Sequence, residues 1–362
     1  MEFTIKTDKL QEMVTKSVKG ASNNKLIPLT SLLGIRVVDG ELVLTTTDAT
    51  NYLYIKDKVG GEDFSVTVPV EIFSKLVSRM TCENIKLTVS DNSLTVTGNG
   101  TYTIELPMDE EGGLITYPDP LSKVTLGDKE TINLSTISAI LTTLKPALAV
   151  TIEDPCYTGY YIGDRVVATD TYKIASMQTK LFSLSKLLAP ETMDLLAVMS
   201  TEKIDVAFQD NIIVFISPNC IVYGVVMENI DDYAIDAISE LVDAKFESMC
   251  KVSKSSILQV LDRLSLFVSN FDKNGIYLTF TRNGINISSK SSSGVEIVPY
   301  SESKDFKDFT CCIDIEMLTT QIKAQATDMV EMYYGLDNAI KMVDGNIIQV
   351  VALLEDDRFS GE

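Results

Sequence analysis

One alternating pattern of apolar and polar residues occurs three times in this chain of 362 residues, at 85–108, 204–227 and 330–354. Each copy turns at an Asp-Asn pair, runs on as a second alternating stretch, turns again at Gly or Pro and runs through a third. Alternation with such turn residues predicts a half-buried antiparallel meander. The Asp-Asn pairs are about 120 residues apart, which predicts a tandem array of three like domains.

Segments with apolar residues at helical spacing accompany each meander. Asp8 is the predicted N-cap of the first helix and Gly20 its end, and Ile72 is expected to face the core from the second. Stretches rich in acidic residues, at 109–130 and 228–245, read as linkers. The predicted helices cover residues 8–19, 70–80, 135–147, a short segment after Pro190, 253–267 and 314–326.

These elements predict an α+β chain built from three repeats, each with two helices laid on antiparallel strands. Length alone favours two or three domains, so three repeats fit. The predicted boundaries are 1–122, 123–244 and 245–362.

Composition excludes several classes of function. The chain has no histidine, which removes Ser-His-Asp and Cys-His catalysis and imidazole metal sites. The six cysteines show no CxxC spacing, which favours a reducing cytoplasm. The N-terminus does not resemble a signal peptide, and no apolar run is long enough to span a bilayer. We therefore expect a cytoplasmic protein with no metal, cofactor or membrane partner.

The net charge of −20 argues against nucleic acid as a partner unless cations gather locally. Helix faces not needed for packing do carry cations. One interpretation is an ordinary solvated face, partly cancelled by neighbours such as Glu12 and Asp262. The other is a locally positive surface that attracts a phosphate backbone without reading bases. The residues are Lys9, Lys16, Lys19, Lys75, Arg79, Lys145, Lys254, Arg263 and Lys323.

Asp48 and Asp170 each follow a threonine at matching places and could be taken for a catalytic carboxylate pair. They belong to different repeats and are expected to end equivalent strands. A structural role is therefore the better interpretation, and no catalytic residue is predicted.

Three segments, in order along the chain, resemble the bacterial DNA polymerase III beta subunit, the sliding clamp. They are LIPLTSLLGIRVVDGELVLTTTDATNYLYI, VVATDTYKIASM and IDDYAIDAI. The resemblance spans essentially the whole chain, and it implies a divergent member with the ring-forming processivity fold.

The resemblance implies a head-to-tail homodimer that encircles duplex DNA, without sequence preference, and tethers a polymerase or clamp loader through short peptide motifs. Its strand with Tyr102 and Ile104 would meet the helix end with Phe267 and Val268 of a second copy. The alternative is that these four are core residues. Lys25 is a predicted DNA-binding residue in a loop, beside Asn24, which occupies the place of a family arginine near DNA. Asp154 falls where a basic residue would help at the loop of the second repeat. Attraction to DNA is therefore expected either to be weaker or to rest on the helices.

The family's peptide-binding pocket carries over with departures. Thr171 replaces a glycine and Tyr172 a histidine, so the loop backbone is expected to differ. Asp231, Ile235 and Asp236 stand where the family has Pro, Arg and Val. The alternative for 169–174 is a plain strand end with a satisfied turn. The predicted pocket residues are Tyr157, Thr169, Tyr172, Lys173, Ile174, Ile235, Asp314, Met317, Leu353 and Leu354.

Two functions from different classes follow. One is a non-catalytic DNA sliding clamp. The other is a protein-interaction scaffold of the same fold with little DNA binding, which the acidity and the missing basic loop residues favour.

Overall fold

The three meanders and their helices are present in a computed structural model that describes residues 1–151, 153–290 and 293–356. The first repeat comprises β1 (Glu2–Lys6), α1 (Thr7–Ser17), β2 (Leu32–Val38), β3 (Glu41–Thr47), β4 (Tyr52–Lys58), β5 (Gly60–Gly61), β6 (Phe64–Pro69), α2 (Val70–Ser78), β7 (Asn84–Ser90), β8 (Ser93–Thr97) and β9 (Thr101–Glu105).

The second repeat has a similar order of elements, with four strands instead of five between its first two helices, and adds a helix at its end. It comprises β10 (Lys129–Asn133), α3 (Leu134–Thr143), β11 (Tyr160–Ile162), β12 (Val166–Thr169), β13 (Lys173–Met177), β14 (Lys186–Leu188), α4 (Pro190–Leu195), β15 (Lys203–Gln209), β16 (Ile212–Ser217), β17 (Cys220–Val225) and α5 (Ile235–Asp243).

The third repeat again places one helix after its first strand and one before its meander. It comprises β18 (Ser248–Ser253), α6 (Lys254–Leu264), β19 (Gly275–Thr281), β20 (Gly284–Ser289), β21 (Val295–Pro299), β22 (Glu302–Lys304), β23 (Phe309–Asp314), α7 (Ile315–Ala324), β24 (Met329–Tyr334), β25 (Ala339–Asp344) and β26 (Ile347–Ala352).

The chain divides into two compact units. The first holds Met1–Ile137 and Glu191–Val226, and the second holds Ser138–Pro190 and Met227–Glu362. In the first unit the strand orders are β5-β1-β7-β8-β9 and β10-β15-β16-β17-β4-β3-β2-β6. In the second they are β14-β11-β12-β13-β26-β25-β24-β18-β22 and β21-β20-β19-β23.

Each larger sheet joins strands of two repeats. In the first unit β17 pairs antiparallel with β4, where Ile221 lies opposite Tyr54. In the second unit β13 pairs with β26, where Ile174 lies opposite Val350. Because the repeats share sheets, the compact units do not follow the repeats, and the three predicted domain boundaries stay a prediction.

Helix and strand periodicity explain the cores. In α1, Leu10, Met13 and Val14 form a buried stripe at helical spacing. In the third repeat, α6 and α7 pack over the strands through one apolar core. The Phe280 and Tyr334 rings stack in this core with centroids 3.9 Å apart.

Three expectations about elements are wrong. Lys6, not Asp8, is the N-cap residue of α1, and Asp8 lies in the first turn. The Ile72 side chain is 57% exposed, because α2 turns only Val70, Phe73 and Val77 fully inward. The stretch 228–245 is no plain linker, since it contains α5, whose Ile238 and Val242 are buried beneath an otherwise acidic surface.

Candidate functional site

The paired helices of the first unit hold one side against the core and present the other to solvent. The Gln11 side-chain amide of α1 donates to the carbonyls of Val77 and Met80, at 2.9 Å each. This contact fixes α1 against the end of α2. The cations that the sequence singled out on these helices lie on the outer side, together with the carboxylates of Glu12 and Glu71.

Carboxylates neutralise three of those cations in the first unit. The Nζ atoms of Lys9 and Lys16 lie 2.7 Å from carboxylate oxygens of Asp57 and Glu12, and Lys75 Nζ lies 2.5 Å from Glu71. The hydrogen bond and charge of Lys75 lower the pKa of the Glu71 carboxyl. In contrast, Lys19, Lys25 and Arg79 are exposed.

Two of the predicted cations of the second unit, Lys254 and Arg263, also have partners in the fold. Lys254 Nζ donates to the carbonyls of Lys323 and Gln325, which joins the start of α6 to the end of α7. Arg263 makes two bonds to the Glu296 carboxylate, at 2.8 and 2.5 Å, and this pairing lowers the pKa of Glu296. Lys145 and Lys323 are exposed. In the described residues, carboxylates therefore balance at least four of the nine helix cations that the sequence singled out.

Asp48 and Asp170 close equivalent turns, which confirms their structural role. Asp48 Oδ1 accepts the backbone N–H groups of Thr50 and Asn51 at 2.9 and 2.6 Å. Asp170 Oδ1 likewise accepts the backbone N–H groups of Tyr172 and Lys173, at 3.0 and 2.8 Å. The two carboxylates lie in different compact units.

The Asp170 turn explains where several predicted pocket residues go. Thr169 is 1% exposed, and its hydroxyl donates to the Lys173 carbonyl at 2.8 Å. Its Oγ1 also accepts the N–H of Thr171, which has a φ of +76° although it is not glycine. Lys173 Nζ donates to Asp170 Oδ2, and Tyr172 is 61% exposed at the tip. The threonine and aspartate side chains hold the strained backbone of this turn in place.

The structure brings the apolar pocket residues of the second repeat together. Ile174 is buried in an apolar cluster against which Tyr157 and Ile235 pack. The neighbouring strand end belongs to β26, where the Ala352 N–H donates to the Tyr172 carbonyl at 2.8 Å. The turn and this cluster therefore form one continuous region.

The remaining pocket residues belong to the core and helix cap of the third repeat. Met317 and Leu353 pack against its apolar core, and the Leu354 N–H donates to the Cys312 carbonyl at 2.8 Å. Asp314, 9% exposed, is the N-cap of α7. The acidic tail beyond Asp356 lies outside the described residues. The pocket as a whole stays a prediction.

The predicted interface residues differ in exposure. Tyr102 and Phe267 are 42% and 48% exposed, whereas Ile104 is buried in its own repeat and Val268 packs against the core of the third. Sequence reasoning missed Val295 and Ile297 on β21, which are 63% and 60% exposed. The sequence did contain a signal for this exposed surface. Val295 and Ile297 alternate with Glu296, which places the two apolar side chains on one face of a strand.

No cluster of three or more His, Cys, Asp or Glu side chains in the described ranges could hold a metal ion. Among the residues that the structure describes, no helix is both long and apolar enough to cross a membrane.

The fold is that of sliding clamps. It matches the beta subunit from DNA polymerase of Streptococcus pyogenes with a TM-score of 0.88 at 18% identity, covering 98% of this chain and 100% of that one. It matches the DNA polymerase sliding clamp from Bacillus subtilis with a TM-score of 0.86 at 17% identity, covering 98% and 99%.

Sequence comparison finds similar proteins. Residues 1–111 match the model for the DNA polymerase III beta subunit, N-terminal domain. The beta sliding clamp of Staphylococcus aureus (strain Mu50 / ATCC 700699) is 22% identical over 360 residues, covering 93% of this chain and 91% of that protein. In sequence and in fold, the chain is therefore similar to bacterial beta sliding clamps.

Proposed function

We propose that the protein is a DNA sliding clamp that acts as a non-catalytic processivity factor. Two copies join head to tail, encircle duplex DNA and tether a polymerase or another DNA-processing protein. The observation that carries this proposal is the match to sliding clamps over 98% of the chain. Tethering raises the effective concentration of a polymerase at the primer end, so the protein's contribution is topological and needs no catalytic group.

The free edges of two sheets support the head-to-tail contact. In the described residues β9 and β21 each end a sheet, with unpaired backbone groups on the outer side. Exposed apolar side chains accompany both edges, Tyr102 on one and Val295 and Ile297 on the other. Pairing β9 of one copy with β21 of the next would satisfy both edges, and repeating the contact would close a two-membered ring.

Helix cations that are in part paired with carboxylates fit a sliding contact. Lysine ammonium groups contact phosphates without sequence information, and the neighbouring carboxylates reduce the attraction. A weak attraction lets the duplex move through the ring, while the acidic remainder of the surface discourages binding elsewhere.

Retention on DNA tests the proposal. The protein is loaded on a nicked circular plasmid by a clamp loader, and the complex is isolated by gel filtration. A topological clamp stays on the circle and is lost when a restriction enzyme linearises the same complex. Equal retention on both forms, or equal loss from both, would exclude encirclement.

The ion pairs on the helices also favour a second candidate, a protein-binding scaffold with little affinity for DNA. The net charge of −20 points the same way. Sedimentation distinguishes the two, because a clamp requires a dimer and a scaffold does not. A stable monomer at micromolar concentration, with no retention on circles, would support the scaffold.

A further inference from the structure

A surface cleft of about 690 Å³ lies in the second compact unit, at the N-terminal end of α5. Its floor is aromatic and apolar. The Tyr161 ring stacks on Tyr233 with centroids 5.2 Å apart and planes 27° apart. Ile230 and Ile235, both partly buried, line the cleft beside Tyr161. The cleft therefore offers a half-exposed tyrosine ring on a support that packing holds in place.

The rim of the cleft is acidic. Asp231 and Asp236 line it, and both are exposed. Within the described parts of the chain, neither carboxylate has a cation within ion-pairing distance. None of the residues that line the cleft is a lysine or arginine. The negative charge at this end of α5 is therefore unbalanced.

The cations near α5 are used at its other end. Arg165 pairs with Asp243 at 2.8 Å, and Lys341 Nζ donates to the Ala244 carbonyl at 2.5 Å. A carboxylate in the first turn of a helix is itself stabilising, which accounts for Asp236. It does not account for Asp231, which precedes the helix and adds a second negative charge to the same cleft.

We propose that this cleft binds a partner peptide in which a basic side chain, arginine above all, stands next to an apolar one. The inference rests on the proposed tethering function and names the class of peptide recognised. The guanidinium plane would stack on Tyr161 and pair with Asp231 and Asp236, while the apolar neighbour would pack on Ile230 and Ile235. A planar cation suits both an aromatic face and a carboxylate, which a neutral or acidic peptide does not.

Fluorescence anisotropy with labelled peptides tests the proposal on the full-length protein. The probes are fluorescein-Gly-Leu-Phe-Arg-Arg-amide and the same peptide with two glutamines or two glutamates in place of the arginines. We expect the arginine peptide to bind at least fivefold more tightly than the glutamine peptide, and the glutamate peptide to bind most weakly. Equal affinity for the three peptides would overturn the proposal.

The variant Asp231→Asn/Asp236→Asn should remove most of the preference for arginine and leave the affinity for the glutamine peptide unchanged. Glu240→Gln is the matched control, because Glu240 is exposed on the same helix but does not line the cleft. A preference that survives the double variant, or that falls equally in the control, would place the basic side chain elsewhere. Thermal unfolding of each variant confirms that the comparison is between folded proteins.

The peptide and plasmid experiments fail separately. A protein that stays on nicked circles but does not distinguish the peptides keeps the clamp function and loses only this inference. A protein that prefers the arginine peptide but is not retained on circles keeps the cleft and loses the clamp function.

Discussion

At the scale of single residues, the same short motif stabilises two distant turns. The hydroxyls of Thr47 and Thr169 donate to backbone carbonyls four residues ahead, at 2.5 and 2.8 Å. Each threonine oxygen also accepts an N–H from a residue with positive φ, Ala49 or Thr171. These side-chain contacts offset the strain of a left-handed conformation that L-residues rarely adopt. A Thr-Asp pair can thus be a structural motif and not a catalytic one.

Asp314 is a second residue whose structural contacts are clear. Its carboxylate accepts the N–H groups of Glu316 and Met317 at 2.7 and 3.0 Å. We expect Asp314→Ala to lower the free energy of unfolding by about 1 kcal/mol, because two helix donors lose their acceptor. Urea denaturation followed by circular dichroism measures the change. Asp314→Asn is the control and should retain most of the stability; an equal loss in both variants would contradict the capping role.

The buried thiols predict a loss of stability at alkaline pH. Burial raises the pKa of Cys220 and of Cys250 to about 12, above the ordinary thiol value of 9.0. A raised pKa in the folded state means that the unfolded chain releases these protons first as pH rises. Stability is therefore full below about pH 9 and falls above it, by up to about 1.4 kcal/mol per pH unit for each thiol.

Urea denaturation at pH 8, 9 and 10 measures that slope. Tyrosines with raised pKa contribute in the same direction, so the matched comparison is the variant Cys250→Ala against the unmodified chain. The variant should be less stable at pH 8 but should lose stability less steeply. If the free energy of unfolding falls equally steeply with pH in both proteins, the Cys250 thiol does not contribute to the alkaline loss of stability.

At the scale of elements, helix spacing decides how much positive charge the helices present. Glu12 and Lys16 on α1, and Glu71 and Lys75 on α2, are i, i+4 pairs with the glutamate on the N-terminal side, the favourable order. Such exposed pairs contribute little to stability. In the proposed clamp they would also reduce the attraction to DNA phosphates, because a lysine would have to leave its carboxylate to reach a phosphate.

We therefore expect Glu12→Gln/Glu71→Gln to strengthen the attraction to DNA and Lys75→Glu/Arg79→Glu to weaken it. Retention on nicked circles should lengthen in the first variant and shorten in the second, and the dependence of retention on salt should become steeper in the first. Glu247→Gln is the control, since Glu247 pairs with Lys307 and neither residue lies on a helix. Unchanged retention in both variants would mean that these helices do not face the duplex.

At the scale of the whole molecule, the proposed assembly depends on edges that one chain leaves open. Exposed apolar residues beside β9 and β21 are unfavourable in water, and association of two copies would bury them. We expect Tyr102→Ala/Phe267→Ala to shift the protein from dimer toward monomer by at least tenfold in dissociation constant. Sedimentation equilibrium measures the shift.

Leu184→Ala provides the control for this assembly prediction, because Leu184 is 61% exposed and belongs to neither edge. It should leave the mass unchanged. Wild-type mass in the Tyr102→Ala/Phe267→Ala variant would mean that the interface lies elsewhere, and Ile297→Asp would then test the β21 edge by itself.

The sequence alone determined the repeats, the meanders and the helical stripes, because these depend on periodicity and on turn chemistry within a few residues. It also determined the absence of histidine chemistry. The Asp-Asn and Gly or Pro turns therefore fell where alternation had predicted them. The start of α1 was misplaced because its N-cap residue, Lys6, makes no side-chain capping bond that could mark it.

Only the tertiary structure decided which charges are balanced, which apolar side chains stay exposed and which strands share a sheet. Arg263 pairs with a glutamate 33 residues away, and β13 pairs with β26 from another repeat. Helix α5 was not predicted, because its acidic exposed face resembles a linker. Its few apolar residues indicate a helix only once the strands that they pack against are known. Such outcomes depend on neighbours distant in the chain, which local patterns do not encode.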